Sequence, residues 1–179
     1  MKRKYNEKNL SGWAISSEII DFLRKNLKKN DTILEFGSGS GSKEIGKYFN
    51  LWSIEHNKDF LYENTLQNFY APIKKRKIIC PTQKKVIAEY KWYNEKVVLK
   101  VMKKIDYNCL LVDGPPGCIG REGFYYNLEN FDTNCMIIID DVNRKEENNL
   151  LFRVSKKLNC EYTVYHCRDG KSFGVIDNR

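Results

Sequence analysis

The sequence predicts an α/β fold in which a mostly parallel sheet is covered by helices on both faces. Short apolar runs of strand length alternate with segments whose apolar residues recur at helical spacing. Two of the runs, 108–112 and 135–139, are almost entirely apolar, which is typical of strands buried on both faces. Further along, two strand-like segments flank a turn over 168–171, so the sheet is expected to include an antiparallel hairpin at its C-terminal side.

Strands and helices alternate along the first half of the chain. Apolar residues at helical spacing mark the helices, whereas short apolar runs that stop at a glycine, an acid or a proline mark the strands. The first helix begins at Ile15 and ends before Asn30, and the first strand stops at Gly37. In order, the predicted elements are a helix over 15–29, a strand over 32–36, a helix over 42–49, a strand over 51–54, a helix over 59–69 and a strand over 77–80.

The second half continues the alternation and completes a sheet of seven strands. The period of its valines predicts a helix over 97–105. Asn143, with Glu146 three residues later, resembles a capping box at the start of the next helix. That helix carries Leu150, Leu151, Val154 and Leu158. The remaining predicted strands are 108–112, 135–139, 162–167 and 172–176.

Composition bounds the class of protein. The 179 residues, 41% of them hydrophobic, suffice for one core, so we expect a single domain over 1–179 with residues 1–14 as a loose arm. No apolar run approaches the roughly 20 residues needed to cross a bilayer. The charged start precedes no apolar segment, so we expect neither a secretion signal nor membrane insertion. Six cysteines without a Cys-x-x-Cys pair fit reduced thiols in the cytoplasm.

The charge balance leaves the kind of partner open. A formal net charge of +8 favours an anionic partner through the long-range field. The run Lys74–Lys77 either contacts phosphate or, more simply, is a solvated approach to a strand. Aromatic residues interleaved on a basic strip, which mark stacking platforms for single strands, are not obvious. Nucleic acid is therefore the less favoured partner, and a small molecule the more favoured one.

A glycine-rich loop follows the first predicted strand. It contains Gly37, Ser38, Gly39 and Gly41. Glycine lets a ligand approach the backbone, and the helix that follows offers free N–H groups, so we predict a ligand-binding loop. A dinucleotide fingerprint requires glycine where Ser42 stands, and Glu44 would repel a pyrophosphate. A nicotinamide or flavin cofactor is therefore disfavoured.

An acid closes the second predicted strand. Glu55 lies where doubly wound folds place a carboxylate that accepts hydrogen bonds from ribose hydroxyls. His56 next to it is a candidate for lining an adenine pocket, and an incidental histidine is the alternative. Glu55 alone would be interpreted as an ordinary surface carboxylate, and its combination with the glycine loop favours a binding role.

Two further strands end in acids. Asp113 follows the run 108–112, and Asp140 and Asp141 follow the run 135–139. Since the carboxyl ends of neighbouring parallel strands meet at one edge of a sheet, three carboxylates should lie together. Negative charges at such a short separation must share a proton, bind a cation or face a basic group. The simplest alternative is that Asp113 lines the cofactor pocket while Asp140 caps the next helix or binds Arg144.

The segment 33–41, ILEFGSGSG, followed by 53–56, SIEH, resembles the class I S-adenosylmethionine-dependent methyltransferases. The resemblance covers nearly the whole chain and implies a Rossmann-like three-layer sandwich. It implies that the glycine loop holds the methionine moiety, that Glu35 supports this loop and the methionine ammonium, and that Glu55 binds the ribose. Adenine contacts would fall on His56 and near 80–82, where many relatives carry an acid and this chain has Cys-Pro-Thr.

The acidic strand ends resemble O-methyltransferases of the catechol and macrocin kind. In these, an Asp after the fourth strand and an acidic pair after the fifth hold a divalent metal, so Asp113, Asp140 and Asp141 are candidate Mg²⁺ ligands. The catechol kind has Asn where Asp141 stands, which leaves metal use a hypothesis. Such a cation would lower the pKa of the acceptor hydroxyl. We expect Asp113, helped by Asp140 and Asp141, to be the catalytic residue that removes or stabilises the acceptor proton.

The acceptor is read from weaker signals. The motifs Asp-Gly-Pro-Pro-Gly and Asp-Asp-x-x-Arg, together with Arg121, resemble small bacterial methyltransferases associated with sugars and surface polysaccharides. Gly117 stands where enzymes that methylate base amino groups need an aromatic residue, which disfavours base methylation. We therefore expect O-methylation of a small molecule or a sugar or glycan precursor. The alternatives are an RNA-modifying methyltransferase, a cofactor-binding protein without transferase activity and, more remotely, a dehydrogenase.

Several other side chains are candidates for covering the pocket. They are Trp13, Ser16, Trp92, Tyr93 and the segment 121–126. Structural packing is the better explanation for each aromatic residue taken alone. His166, in a predicted strand, fits a satisfied histidine better than a general base.

Overall fold

The computed structural model describes residues 15–61 and 67–179. Its helices are α1 (Ser17–Asn26), α2 (Ser40–Ile45), α3 (Glu95–Met102), α4 (Glu122–Tyr126) and α5 (Lys145–Leu158). Its strands are β1 (Thr32–Phe36), β2 (Asn50–Glu55), β3 (Gln67–Tyr70), β4 (Ile73–Ile79), β5 (Val86–Tyr93), β6 (Cys109–Val112), β7 (Met136–Ile139), β8 (Thr163–His166) and β9 (Ser172–Asp177). The expected arm over 1–14 and the candidate Trp13 lie outside the described residues.

Seven strands form the main sheet in the order β3-β2-β1-β6-β7-β9-β8. The pairs among β3, β2, β1, β6 and β7 are parallel, whereas β9 is antiparallel to both β7 and β8. The strand order reverses between β1 and β6, and this is the point of an open α/β sheet where ligands bind. The predicted mostly parallel sheet with a C-terminal antiparallel hairpin is confirmed.

The sheet separates two apolar layers because successive strand residues point to opposite faces. Leu34, Leu110 and Ile137 pack with residues of α3, α4 and α5 on one face. Ile33 and Leu111 pack with residues of α1 and α2 on the other. The nearly continuous apolar runs of β6 and β7 are fully buried, as expected of strands covered on both sides.

The third strand of the sheet is not where the sequence predicted it. The predicted helix over 59–69 is wrong at its end, because Gln67–Tyr70 forms β3 beside β2. At its start, Lys58–Phe60 forms a short 3-10 turn, and 62–66 lie outside the described residues. The predicted strand 77–80 belongs instead to β4, which pairs with β5 in a separate antiparallel ribbon. The spacing of the apolar residues over 59–69 favours a helix more than a strand. Only the pairing of β3 with β2 decides that the end of this segment is a strand.

The predicted capping box of the last long helix is also wrong. Arg144 is the residue before the first helical turn of α5 and makes no side-chain cap. Asn143 Oδ1 instead accepts a hydrogen bond from the backbone N–H of Ser172, at 3.3 Å. The amide therefore joins the β7–α5 connection to β9. None of the helices in the described parts of the chain is long and apolar enough to span a membrane.

Candidate active site

A cavity of about 580 Å³ opens at the carboxyl ends of β1, β2, β6 and β7. Its walls come from the loops that follow these strands and from the start of α5. The glycine loop and Glu55 form one end, and the connections after β6 and β7 form the other. The lining residues are Gly37, Ser38, Gly39, Ser40, Glu55, His56, Phe60, Asp113, Gly114, Pro116, Gly117, Cys118, Arg121, Asp141, Arg144, Glu146, Glu147 and Lys171.

Gly37 is required where the loop after β1 crosses the loop after β6. Its φ of +91° is in the region that favours glycine, and a Cβ there would lie 2.7 Å from the backbone nitrogen of Gly114. Gly41 has a different role, because a Cβ there would lie 2.1 Å from Ile15 Cγ2. Gly41 therefore allows α2 to pack against the residues just before α1, and it does not line the cavity.

Glu35 lies beneath the glycine loop and does not reach the cavity. It is 1% exposed, and its carboxylate accepts hydrogen bonds from Ser53 Oγ and from Ser42 Oγ, the latter at 2.8 Å. Ser42 Oγ also accepts a hydrogen bond from the backbone N–H of Gly39 at 2.9 Å. Burial raises the pKa of Glu35 from 4.5 to about 7. Ser42, which breaks the dinucleotide fingerprint, thus connects Glu35 to the loop.

Glu55 holds the loop from the second strand. Its Oε2 accepts a hydrogen bond from the Ser38 N–H at 2.9 Å, and its Oε1 accepts from the His56 and Asn57 N–H groups at 2.7 and 2.6 Å. Glu55 is buried yet lines the cavity. Its carboxylate is thus fixed in position beside the loop.

Two polar atoms at this end of the cavity have no hydrogen-bond partner among the described residues. They are Ser38 Oγ and His56 Nδ1. His56 Nδ1 lies 2.7 Å from Glu55 Oε1, but the contact lacks hydrogen-bond geometry. Buried polar atoms are normally paired, so these two are available to a polar ligand in the cavity.

The expected adenine contacts near 80–82 are wrong. These residues form the turn between β4 and β5, where Thr82 is exposed, and none of them lines the cavity. The error follows from the misplaced third strand. Its position is taken by β3, which ends at Tyr70 and leads to Ala71, whose N–H donates to the Glu55 carbonyl.

The three aspartates after β6 and β7 do meet, as predicted. One oxygen from each of Asp113, Asp140 and Asp141 lies within 4.8 Å of the others. Asp113 and Asp141 line the cavity, whereas Asp140 is 1% exposed behind them and its Oδ1 accepts the Asp141 N–H at 2.8 Å. The alternative in which Asp140 binds Arg144 is wrong, because Arg144 Nη1 contacts Asp141 Oδ2 at 3.1 Å.

Arg121 supplies the positive charge at the centre of this cluster. Its buried guanidinium donates to the carbonyl oxygens of Pro115 and Asp140, at 3.2 and 2.7 Å, and also to that of Asp113. Its Nη2 lies 2.9 Å from Asp141 Oδ2 and 3.3 Å from Asp113 Oδ1. Arg121 thus fixes the backbone of both loops as well as two carboxylates. The sequence motif contained Arg121, but only the fold shows that it crosses from α4 to both strand ends.

The carboxylates still carry more negative charge than Arg121 neutralises. Burial, followed by the neighbouring Asp140, raises the pKa of Asp113 above its ordinary value, although Arg121 acts in the opposite direction. Burial and Asp141 likewise raise the pKa of Asp140. The Asp113 side chain is 23% exposed, so it is the more accessible of the two. A carboxylate with a raised pKa is a better proton acceptor near neutral pH.

The donor set fits a hard divalent cation such as Mg²⁺. Hydrogen bonds from Arg121 and the Asp141 N–H, and the ion pair with Arg144, involve one oxygen of each carboxylate. The second oxygen of each accepts no hydrogen bond from the described residues, and such oxygens are the ligands that Mg²⁺ prefers. They are Asp113 Oδ2, Asp140 Oδ2 and Asp141 Oδ1. Arg121 acts against this site through its own charge.

Glu147 is a site residue that sequence reasoning missed. It lies in the first turn of α5, is 2% exposed and lines the cavity. Its Oε1 has no hydrogen-bond partner among the described residues. Helix periodicity gave no reason to single it out, because an acid in a first helical turn is common. With Arg144 and Lys171, it makes the end of the cavity opposite the glycine loop strongly polar.

The other candidates for covering the cavity have structural roles. Trp92 and Tyr93 are buried in the core beneath α4, as packing predicts. Ser16 Oγ donates to Asp169 Oδ2 at 2.6 Å and joins the start of α1 to the β8–β9 turn. His166 Nδ1 is hydrogen-bonded with Ser172 Oγ at 2.9 Å and does not line the cavity. Of the segment 121–126, Arg121 alone lines it.

Comparisons with known proteins show the fold. No protein-family model and no curated protein matches the chain. Among solved structures, it is similar to MycE, a methyltransferase of the mycinamycin biosynthetic pathway solved with Mg, SAH and mycinamycin VI, at a TM-score of 0.54 and 12% identity. The alignment covers 98% of this chain and 49% of MycE, so the chain spans about half the length of that protein.

Two further structures agree over most of their own length. A Staphylococcus aureus protein, assigned provisionally as a caffeoyl-CoA O-methyltransferase, matches at a TM-score of 0.56 and 13% identity, over 89% of this chain and 81% of that one. A methyltransferase from Pyrococcus furiosus matches at a TM-score of 0.53 and 13% identity, over 91% and 83%. The chain therefore has the Rossmann-like fold of these methyltransferases.

Proposed function

We propose that the protein is an S-adenosylmethionine-dependent methyltransferase that methylates an oxygen of a small molecule or a sugar or glycan precursor. The observation that carries this proposal is one shared cavity. It brings the glycine loop and Glu55 together with Asp113, at the switch point of a methyltransferase fold. A sulfonium donor and a hydroxyl acceptor need this combination of a cofactor-binding loop and a nearby base.

The cofactor would occupy the end of the cavity formed by β1 and β2. Glu55 is fixed by three backbone N–H groups and supports ribose binding. Gly37 and Gly39 leave the backbone accessible to the methionine moiety, and Ser38 Oγ and His56 Nδ1 are available to polar atoms of the cofactor. Glu35 and Gly41 do not line the cavity but support the glycine loop, so we propose that they affect cofactor binding by positioning this loop.

Methyl transfer would be an in-line displacement. The acceptor oxygen forms a bond to the methyl carbon while the carbon–sulfur bond breaks, and the sulfur leaves with the bonding electrons as a neutral thioether. The acceptor proton goes to Asp113, whose raised pKa suits this role and whose side chain faces the cavity. Asp140 contributes from behind by raising the pKa of Asp113. Alignment of the two reactants supplies much of the rate.

We propose Asp113, Asp140 and Asp141 as the residues that would hold Mg²⁺. When bound, the cation would polarise the acceptor hydroxyl and lower its pKa. Without it, Arg121 and Arg144 are the positive groups that stabilise the deprotonated carboxylates.

The opposite end of the cavity supports a polar acceptor. Glu147 presents a buried carboxylate oxygen without a partner among the described residues, and Arg144 and Lys171 add donors. A carboxylate and two basic side chains match an acceptor with several hydroxyl groups better than a flat aromatic one.

All six cysteines are free, which supports a reducing, cytoplasmic setting.

The proposal is tested by calorimetric titration with S-adenosylmethionine and with its demethylated product, with and without Mg²⁺. Micromolar binding of both compounds is the expected result. A Mg²⁺ dependence that Asp140→Asn abolishes would assign the aspartates as metal ligands, and an unchanged dependence in this variant would refute that assignment. Absence of binding to either compound would overturn the methyltransferase proposal.

A further inference from the structure

Among the described residues, the antiparallel ribbon 73–93, formed by β4, β5 and their turn, is attached to the rest of the protein at one end. At its base, Trp92 and Tyr93 are buried in the core, and Tyr90 stacks on Tyr126 with ring centroids 4.8 Å apart. The residues beyond Ile78 towards the turn are mostly exposed. The ribbon thus extends from the body of the protein, and the cavity does not include it.

Most of the chain's net charge lies on this ribbon. It has seven basic residues and one acid, Glu89, so it carries +6 of the formal +8. Arg76 pairs with Glu95 and Lys77 with Glu89, at 3.1 and 3.2 Å. The other five basic residues make no ion pair among the described residues. They are Lys74, Lys75, Lys84, Lys85 and Lys91.

The positions of two of these lysines destabilise the ribbon itself. Lys75 is directly opposite Lys91 in the β4–β5 register, and both side chains are exposed. Like charges directly opposite each other destabilise an antiparallel pair. An anionic surface in contact with this face would remove the repulsion, which is the first indication of a ligand.

The turn end of the ribbon is apolar as well as basic. Ile79, Val86 and Ile87 are 57%, 47% and 64% exposed, and they are among the most exposed large hydrophobic residues of the described chain. Ile79 pairs with Val86 and Ile78 with Ala88, which leaves Ile87 as an unpaired bulge residue. Three aliphatic side chains surrounded by lysines form the combination that enters a lipid headgroup region.

Other partners fit this surface less well. A single-stranded nucleic acid would stack on aromatic side chains, but the aromatic residues of the ribbon pack against the body of the protein. A second copy of the ribbon would bring two +6 segments together. We propose that the ribbon 73–93 docks the protein on anionic membranes, with Ile79, Val86 and Ile87 in the interface and the lysines on the headgroups.

Vesicle co-sedimentation tests the proposal independently of methyl transfer. The full chain is mixed with phosphatidylcholine vesicles or with an equimolar mixture of phosphatidylcholine and phosphatidylglycerol. We expect binding to the mixed vesicles only, weakening as salt is raised. Equal binding to both kinds of vesicle, or binding to neither, would overturn the proposal. So would binding to a single-stranded oligonucleotide in the absence of vesicle binding.

Two variants separate the charged and apolar contributions. Lys75→Gln/Lys91→Gln removes two charges and should weaken binding roughly 30-fold. Ile79→Ser/Ile87→Ser should weaken it roughly tenfold or more without changing its salt dependence. The matched controls are Lys28→Gln/Lys29→Gln and Phe152→Ser, at exposed positions outside the ribbon, and they should bind like the unmodified protein. Circular dichroism verifies folding, and variants that bind like the controls would refute the proposal.

Discussion

The buried carboxyl of Glu35 should make the stability of the protein depend on pH. Burial raises its pKa from 4.5 to about 7, so between these values the folded protein holds a proton that the unfolded chain releases. The contribution of this group to stability is therefore full below pH 4.5 and is lost as the pH rises through 7. Over this interval the loss amounts to about 3 kcal/mol in the free energy of unfolding.

Glu35→Gln removes the titration while keeping an amide that can hydrogen-bond with Ser42 and Ser53. Urea unfolding, followed by tryptophan fluorescence, gives the free energy of unfolding of both proteins across this pH range. The stability of the unmodified protein relative to Glu35→Gln should fall by about 3 kcal/mol as the pH rises, and should then stay level.

The control is Glu44→Gln, which removes an exposed carboxylate that pairs with Lys47. Its stability relative to the unmodified protein should change by about 0.5 kcal/mol or less over the same range. A pH-independent difference between the unmodified protein and Glu35→Gln would refute the argument, because Glu35 would then be ionised alike in both states.

Three other substitutions test the loop, the charge cluster and the chemistry. Gly37→Ala places a Cβ 2.7 Å from the Gly114 backbone and should cost about 1 to 3 kcal/mol in urea unfolding; an unchanged midpoint would contradict the close approach. Arg121→Gln removes the buried positive charge that faces the aspartates and should cost about 3 to 5 kcal/mol, whereas Lys47→Gln, in an exposed pair, should cost less than about 1 kcal/mol. Asp113→Ala should abolish transfer of a labelled methyl group while calorimetry still detects S-adenosylmethionine binding, and unchanged turnover would refute its role.

The central part of the fold could be predicted because its strands are buried on both faces. The runs that became β6 and β7 have no alternative to burial, and the turn containing Gly170 with a φ of +84° fixes the closing hairpin. The edge of the main sheet and the ribbon were harder to predict. The segment 67–70 is only half-buried, so its pattern is weak, and the uninterrupted basic run 74–77 does not show which strand it pairs with.

The residues of the candidate site that directly follow strands were predicted from the sequence. The residues whose role depends on three-dimensional contacts were not. Asp113 and Asp141 follow neighbouring strands, so the topology alone brings them together. Gly41 was predicted as a ligand contact, but it lies against Ile15, whose approach no local pattern reveals. Glu147 reaches the cavity only because α5 begins beside the loop after β6, a geometry that sequence spacing does not contain.

The most direct test of the central claim is the affinity of S-adenosylmethionine for the unmodified protein and for Glu55→Gln, measured by calorimetry. Loss of the charged hydrogen-bond acceptor that we propose for the ribose should weaken binding by about one to two orders of magnitude. The control Asp59→Asn changes an exposed carboxylate in the same loop and should bind normally. Micromolar binding that Glu55→Gln weakens and Asp59→Asn does not is the predicted result. Equal affinity in all three proteins, or no binding in the unmodified one, would contradict a cofactor site at the glycine loop.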